Sequence, residues 1–346
     1  MIEIDGSTGE AGGQILRTAC ALSAITKKPC RVFNIRKSRP KPGLMPQHLL
    51  GIQAVAQLCS GRLEGDFLGS EEIKFYPGPI GMPSASYGVK EIKVKIETAG
   101  SITLVLQTLI PPALSASEPV KIFFEGGATD TFFSPTTDYF RYAFLKILEK
   151  IGAKAEVAIL RRGYYSEGGA KVEVKVFPSK LISLNLIERG QFKKLLVISG
   201  ASETLKGKKV AERQIIGARE ILGKLKLPAE EKIEYYDTRC PGSQICLAAE
   251  FDNTIIGVDN LGKLGKKAED VGREAALELL EEEKSGACSD KYSADQILPY
   301  LALVKEKSSV TASKITDHCK TNIWVIEKFL DGKFEIKDNL ISWLPE

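Results

Sequence analysis

Apolar positions near the start of the chain change from a strand pattern to a helix pattern. Residues 1–4 form a short segment typical of a strand, and a glycine-rich turn at residues 5–13 follows it. Beyond the turn, Ile15, Ala19 and Leu22 lie three or four positions apart, which places them on one face of a helix. The chain is therefore predicted to open with a strand, a turn and a helix.

The same succession of strands and helices recurs twice along the chain. Gly168 and Gly169 precede residues 171–176, where lysine or glutamate alternates with valine, and we predict that this segment opens a third unit. The other predicted elements are strands at 30–35, 91–96 and 121–125, and helices at 47–59, 101–110, 137–151, 293–305 and 315–330. This recurrence predicts an α/β (α+β) fold built from three repeated units.

Residues 184–280 carry a pattern of their own and are predicted to form an insertion. Strands are expected at 195–199, 232–236 and 246–252, and helices at 209–225 and 268–282. That alternation is sufficient for a small α/β domain inside a larger one. We therefore predict a large domain from residues 1–183 and 281–346, and a small inserted domain from residues 184–280.

Composition favours a cytoplasmic enzyme or binding protein with no membrane partner. The longest apolar run, residues 102–116, is shorter than the ~20 residues that cross a bilayer, and it predicts a buried core helix. Acidic residues and a glycine turn follow Met1 at once, so no secretory signal is expected. Seven scattered cysteines without a CxxC motif suit a reducing compartment. Cys240 and Cys246 lack the further ligands that a structural zinc site needs.

Basic residues are concentrated in one strand and the loop after it. Arg31, Arg36, Lys37, Arg39 and Lys41 lie close together, although the net charge is only +4. Such local density can neutralise phosphates. Charge alone nevertheless favours a solvated loop, because basic runs usually serve solubility.

The chain has two histidines, His48 and His318. His318 lies near a predicted helix start, where free backbone N–H groups and Thr321 or Asn322 could meet a phosphate. A neutral imidazole at that position could attack phosphorus. The glycine turn at residues 9–13 also leads into a helix, but it matches neither GxGxxG nor the GK[ST] ending of a P-loop.

Several motifs in order resemble the RNA 3'-terminal phosphate cyclase family over nearly the whole chain. DGSTGEAGGQILR at residues 5–17 resembles the family's opening motif, and RPKPGL at 39–44 with Gln47 and His48 resembles a second one. Further similar segments are ETAGS at 97–101, GGAT at 126–129, SPTTDY at 134–139, RGYY at 162–165, ADQ at 294–296, and His318 with Thr321 and Asn322.

This resemblance implies both a fold and a reaction. Each repeated unit would be a four-stranded sheet with two helices, and a small α/β domain would be inserted among them. The activity implied is that of an ATP-dependent ligase that converts an RNA 3'-terminal phosphate into a 2',3'-cyclic phosphodiester. The reaction would proceed through a covalent histidine–AMP intermediate and an RNA adenylate, with a divalent metal, Mg or Mn.

The resemblance also implies roles for individual residues. His318 would be the nucleophile that takes AMP, and Glu10 would approach the metal and the phosphates. The other implied residues are Pro135, Tyr292, Asp295 and Gln296 around adenine, Gln14 and Gln107 in the same pocket, and Arg17, Arg36, Arg39 and Gln47 toward phosphates. For these arginines, the implied role outweighs the solvated-loop interpretation, because guanidinium groups suit phosphate oxygens.

Two positions depart from the family pattern, and one alternative function stays open. Ala11 replaces the middle glycine of the first turn, which is tolerated unless this residue needs a positive φ. Ser166 stands where proline is common. The alternative is a cyclase-like noncatalytic protein that binds RNA or serves in rRNA processing; such relatives lack the nucleophilic histidine, so His318 favours the enzyme.

Overall fold

A computed structural model of the protein describes residues 1–80, 90–223 and 228–346. The first repeated unit is a four-stranded sheet packed against two helices. Its strands are β1 (Ile2–Asp5), β2 (Cys30–Phe33), β3 (Arg62–Glu64) and β4 (Ile73–Tyr76), and its helices are α1 (Gly13–Thr26) and α2 (Pro46–Leu58). The sheet order is β1-β2-β4-β3, in which β1 and β2 are parallel and the other pairs are antiparallel.

The second unit repeats this topology. It comprises β5 (Lys90–Ser101), α3 (Ile102–Ala113), β6 (Val120–Ala128), α4 (Thr137–Tyr139), a π-helical segment (Phe140–Phe144), α5 (Leu145–Lys150), β7 (Lys154–Arg161) and β8 (Lys171–Phe177). The sheet order is β5-β6-β8-β7, with β5 and β6 parallel. Residues 171–176 therefore close the second unit, and our prediction that they open the third was wrong. Alternation predicts a strand, but it does not specify the sheet to which that strand pairs.

The third unit opens with β9 (Asn185–Leu186) and is then interrupted. The intervening elements are β10 (Phe192–Ser202), a 3₁₀ helix (Glu203–Lys208), α6 (Val210–Leu222), β11 (Ala229–Tyr236), β12 (Ser243–Phe251), β13 (Ile255–Leu261) and α7 (Ala268–Lys284). They form a separate sheet of order β11-β10-β12-β13. The sequence did not predict β13, and the predicted end of the helix at residue 225 lies outside the described residues.

The third unit resumes after this insertion. Its remaining elements are α8 (Ser293–Ala302), β14 (Ser308–Thr311), α9 (Asp317–Phe329), β15 (Gly332–Lys337) and β16 (Leu340–Pro345). The sheet order, β15-β16-β14-β9, matches the other two units, with β9 and β14 parallel. The predicted fold class, with three repeated four-stranded units, is confirmed. β9 stands at the start of the predicted insertion yet pairs with β14, and the exact domain boundaries stay a prediction.

Helices of the three units pack together and the sheets cover them. α1 contacts α2, α3 and α9, and α8 contacts α3 and α9. In β5, Ile92, Val94 and Ile96 are buried while the residues between them are exposed, so this sheet turns one face to the helices. The predicted buried helix within residues 102–116 is confirmed as α3. Of the helices described, none combines the length and the apolar character required to cross a membrane.

The central strand of the inserted sheet, β12, is buried on both faces. Along β12, Ile245 and Leu247 pack in a cluster with residues of α6 and α7, whereas Cys246 and Ala248 pack in the main core. Successive side chains of a strand point to opposite faces, so β12 joins the two clusters. This packing presses the insertion against the second repeated unit and brings the end of β13 to the site described below.

Candidate active site

His318 lies in the first turn of α9 and faces the glycine turn. Thr316 caps this helix by accepting a hydrogen bond from the backbone N–H of Cys319. The His318 Nε2 atom is 2.8 Å from Oε2 of Glu10. Its Nδ1 atom is buried and has no hydrogen-bond partner among the described residues. Nε2 is therefore the imidazole nitrogen that a ligand can approach.

The glycine turn fits closely between α9 and α2. A Cβ atom at Gly9 would lie 2.3 Å from Oγ1 of Thr321, and one at Gly13 would lie 2.1 Å from Nε2 of His48. Ala11 has a φ of 49°, so the turn does need a left-handed residue at that position. Ala11 nevertheless adopts this conformation, and it is buried.

His48 is a structural residue beneath this turn. Its Nδ1 atom accepts a hydrogen bond from the backbone N–H of Met45 at 3.3 Å. Burial lowers the pKa of His48 to about 3, and the nearby charges of Arg17 and Arg36 add to that effect. The imidazole is therefore neutral at physiological pH and supports α2 and the turn.

We expect the free energy of unfolding to fall as the pH decreases from about 6.5 toward 3, partly because of His48. The unfolded histidine binds a proton near its ordinary pKa, whereas the folded one does not until about pH 3. The contribution is at most about 1.4 kcal/mol per pH unit. Urea unfolding of the wild type and His48→Gln at several pH values measures it. An identical pH dependence in both proteins would contradict the prediction.

The two predicted arginines of the basic loop make different contacts. Arg39 donates to the backbone oxygen of Glu10 at 2.9 Å, and its guanidinium is 3.9 Å from the Glu10 carboxylate. Arg36 donates to the backbone oxygens of Lys41 and Gly43, at 2.6 and 3.3 Å, and thereby holds its own loop. Burial lowers the pKa of Arg36, and the charge of Arg39 contributes. Arg39 is thus the arginine of this loop that lies beside Glu10.

A pocket of about 470 Å³ lies next to His318. Most of the residues predicted from the sequence line it: Gln14, Arg17, Gln107, Pro135, Tyr292, Asp295, Gln296 and His318. Glu10, Arg36, Arg39 and Gln47 are not among the lining residues. Glu10 contacts His318 at the edge of the pocket, and Arg39 contacts Glu10. Gln47 lies in the first turn of α2, close to Gly100.

Side-chain amides join α1, α3 and α8 at the base of the pocket. Gln14 Nε2 donates to Oδ2 of Asp295 at 2.8 Å, and Gln107 Nε2 donates to Oε1 of Gln296 at 2.8 Å. Burial raises the pKa of Asp295 to about 7, opposed by the hydrogen bond from Gln14 and the charge of Arg17. Asn322 completes the network by donating to the backbone oxygen of Asp295 at 2.7 Å.

Arg17 is a partly buried cation without a direct partner among the described residues. Its guanidinium lines the pocket, but it forms no hydrogen bond or ion pair with any residue in the described part of the chain. Burial lowers its pKa to about 10, and the charge of Asp295 opposes this shift. A partly desolvated guanidinium with free N–H donors is suited to an anionic ligand.

The insertion supplies pocket residues that the sequence did not predict. Asp259, Asn260 and Leu261 of β13, together with Lys263 just after it, line the pocket. Oδ2 of Asp259 accepts the backbone N–H of Thr136 at 2.6 Å. Residues 255–261 lack a regular alternation of apolar and polar side chains, so no sequence signal identified this strand.

Within the described ranges, no group of three or more His, Cys, Asp or Glu side chains is arranged to hold a metal ion. The two cysteines considered for zinc are both buried and free, and Cys240 Sγ is 3.4 Å from the backbone oxygen of Tyr164. A metal at this site would therefore take most of its ligands from water or a bound anion, as Mg²⁺ commonly does.

Comparison with known proteins agrees with the motifs. A sequence model of the family described as RNA 3'-terminal phosphate cyclase matches residues 8–336. Proteins of that name from Pyrococcus abyssi and Pyrococcus furiosus are 45% and 46% identical to this chain, covering 97% of it and 95% of each relative. Another of that name, from Sulfurisphaera tokodaii, is 42% identical, covering 97% of this chain and 96% of the relative. This chain belongs to the RNA 3'-terminal phosphate cyclase family.

Proposed function

We propose that this protein uses ATP to convert an RNA 3'-terminal phosphate into a 2',3'-cyclic phosphodiester. In the first step, Nε2 of His318 attacks the α-phosphorus of ATP and expels pyrophosphate. The RNA 3'-phosphate oxygen then attacks the same phosphorus and breaks the P–N bond. Finally, the adjacent 2'-hydroxyl attacks the 3'-phosphorus and expels AMP. Covalent catalysis divides one difficult dehydration into easier transfers.

The placement of His318 carries this proposal. Burial lowers the pKa of His318, the charges of Arg17 and Arg39 act in the same direction, and Glu10 opposes them. A neutral imidazole is the nucleophilic form, and here its reachable nitrogen is Nε2. Glu10, 2.8 Å from that nitrogen, is placed to accept any proton on Nε2 before the attack, which frees the Nε2 lone pair and leaves the remaining imidazole proton on Nδ1.

The pocket beside His318 suits a nucleotide. Pro135 and Tyr292 provide flat or apolar surfaces for adenine, and the ring of Tyr292 packs edge-on against Tyr139 at 6.4 Å between centroids. Arg17 offers free donors for phosphate oxygens. We also assign Arg36 and Gln47 to the substrate phosphates, in the outer part of the site.

Glu10 is the residue that we propose as a ligand for a divalent metal, Mg or Mn. A single carboxylate fits Mg²⁺, which often combines one or two carboxylates with substrate phosphates and water. Bound there, the ion would offset negative charge on the phosphate oxygens. Arg39, whose guanidinium adjoins Glu10, would contribute to the same stabilisation.

We also propose that the protein has two domains and lies in the cytoplasm. A large domain of residues 1–183 and 281–346 would carry His318 and most of the pocket, and residues 184–280 would form the inserted domain. The separate sheet β10–β13 supports this division. The seven buried, free cysteines suit a cytoplasmic location, where thiols stay reduced.

The proposal is tested with an oligoribonucleotide that ends in a 3'-phosphate. Incubation with ATP and Mg²⁺ is expected to yield AMP and an RNA end that resists phosphatase. The same oligomer with a terminal 2'-deoxyribose should be adenylylated but not cyclised, because it lacks the attacking hydroxyl. Binding of RNA without any change of its end would support the noncatalytic alternative.

Replacing Arg39 with alanine is expected to slow turnover by roughly 10- to 100-fold while leaving the stability almost unchanged. A charge-assisted hydrogen bond contributes about 1.5–3 kcal/mol, whereas a half-exposed ion pair contributes about 1 kcal/mol or less to folding. Steady-state kinetics and thermal unfolding measure the two effects. Lys41→Ala, in the same basic loop, is the matched control. Equal turnover in both variants would return Arg39 to the solvated loop.

A further inference from the structure

The inserted sheet reaches the pocket through the end of β13. A Cβ atom at Gly257 would lie 2.4 Å from Cβ of Ala143 and 2.8 Å from Cε2 of Tyr139, so the strand packs against the second repeated unit with no spare room. Asp259 lies two positions later and therefore points to the same face as residue 257. The packing thus fixes the direction in which this carboxyl enters the pocket.

Asp259 has an acceptor available for a ligand. The backbone N–H of Thr136 donates to Oδ2 at 2.6 Å, and Thr136 is its only hydrogen-bond partner among the described residues. Burial raises the pKa of Asp259 to about 7, against the effect of Thr136 and with a small contribution from Glu278. A carboxylate with unused lone pairs in a partly enclosed pocket favours a ligand that donates a hydrogen bond.

The position of Asp259 identifies which part of a nucleotide it would contact. Thr136 directly follows Pro135, and the charge of Asp259 contributes to the raised pKa of Tyr292, for which burial is the main cause. Asp259 therefore lines the pocket together with Pro135 and Tyr292, the residues that flank adenine in the proposed function. Asp295, the other carboxyl of the pocket, is instead held by Gln14 and lies near Arg17.

We propose that Asp259 recognises the exocyclic amino group of adenine and thereby selects ATP over GTP. This inference rests on the proposed function. The adenine amino group is a donor that pairs with a carboxylate, whereas guanine presents a carbonyl oxygen at the equivalent carbon. With GTP, the ionised carboxylate of Asp259, which predominates above pH 7, would face a second acceptor, and neither group would be satisfied. The inserted domain would then select the nucleotide that reacts with His318, which belongs to the large domain.

The test compares covalent labelling by ATP, GTP and purine riboside triphosphate, which lacks the amino group. The wild type is expected to favour ATP over both by about 100-fold. In Asp259→Asn, the ATP-to-GTP ratio should fall at least about tenfold, because the amide can donate to the guanine oxygen. Asp237→Asn, an exposed residue outside the pocket, should keep the wild-type ratio.

An unchanged ratio in Asp259→Asn, or equal use of ATP and the analogue by the wild type, would overturn the assignment. The wild-type comparison does not depend on whether the variant folds, and thermal unfolding checks that the variant does. If the wild type takes no label from any nucleotide, the proposed function fails. Calorimetric affinities for ATP and the analogue then decide the role of Asp259 separately, and equal affinities would contradict it.

Discussion

A His318→Ala variant is expected to take up no AMP and to lose cyclisation by at least about 10⁴-fold, the scale on which covalent nucleophiles contribute in other enzymes. The variant removes the one imidazole that faces both Glu10 and the pocket. The measurement is incubation with ATP labelled at the α-phosphate and a divalent metal, without RNA, followed by denaturing electrophoresis. Label on the wild type should resist alkali and be lost in mild acid, as expected of a P–N bond.

His48→Gln is the matched control for this experiment. His48 is the other histidine of the chain, but it is buried beneath the glycine turn with a pKa near 3. The His48→Gln variant should therefore still be labelled. Label on His318→Ala would assign the nucleophile to another group. A wild type that stays unlabelled with Mg²⁺ and with Mn²⁺ would favour the noncatalytic, RNA-binding alternative.

The architecture was largely predictable because the first two repeated units are each continuous in sequence. Helical spacing identified α1, and a long apolar run identified α3. Strand pairing was less predictable, since residues 171–176 have the same alternation whether they close one sheet or open the next. β13 was missed because both of its faces are buried, which removes the alternation that marks a strand with one solvent-exposed face.

The candidate site was predictable only as far as motifs extend. Gln14, Asp295 and His318 lie far apart in sequence, and their meeting in one pocket depends on how α1, α8 and α9 pack. Family resemblance named these residues, but it did not give the hydrogen bond between Gln14 and Asp295. Asp259 could not be inferred at all, since its place in the pocket follows from the packing of an inserted sheet against another unit.

Arg17 differs from Arg162, a buried arginine of the core, because it has no ion-pair partner among the described residues. Most buried guanidinium groups are paired, as Arg162 is with Asp130 and Asp138 at 2.9 and 2.6 Å. Arg17 is only partly buried and has no such partner among the described residues, and this burial lowers its pKa. The folded protein thus holds a cation whose free N–H donors line the pocket.

Arg17→Met is therefore expected to reduce histidine adenylylation by about 10²- to 10³-fold, the effect of removing one preorganised donor from a transition state. Its melting temperature should stay close to that of the wild type, because an apolar side chain of similar length replaces a partly buried cation that has no ion-pair partner among the described residues. Single-turnover labelling and thermal unfolding measure the two quantities. Arg17→Lys keeps the positive charge but lacks the planar guanidinium. Its labelling rate should lie between those of the wild type and Arg17→Met. A large loss of stability with normal labelling would mean that Arg17 serves the fold, and that the phosphates are held elsewhere.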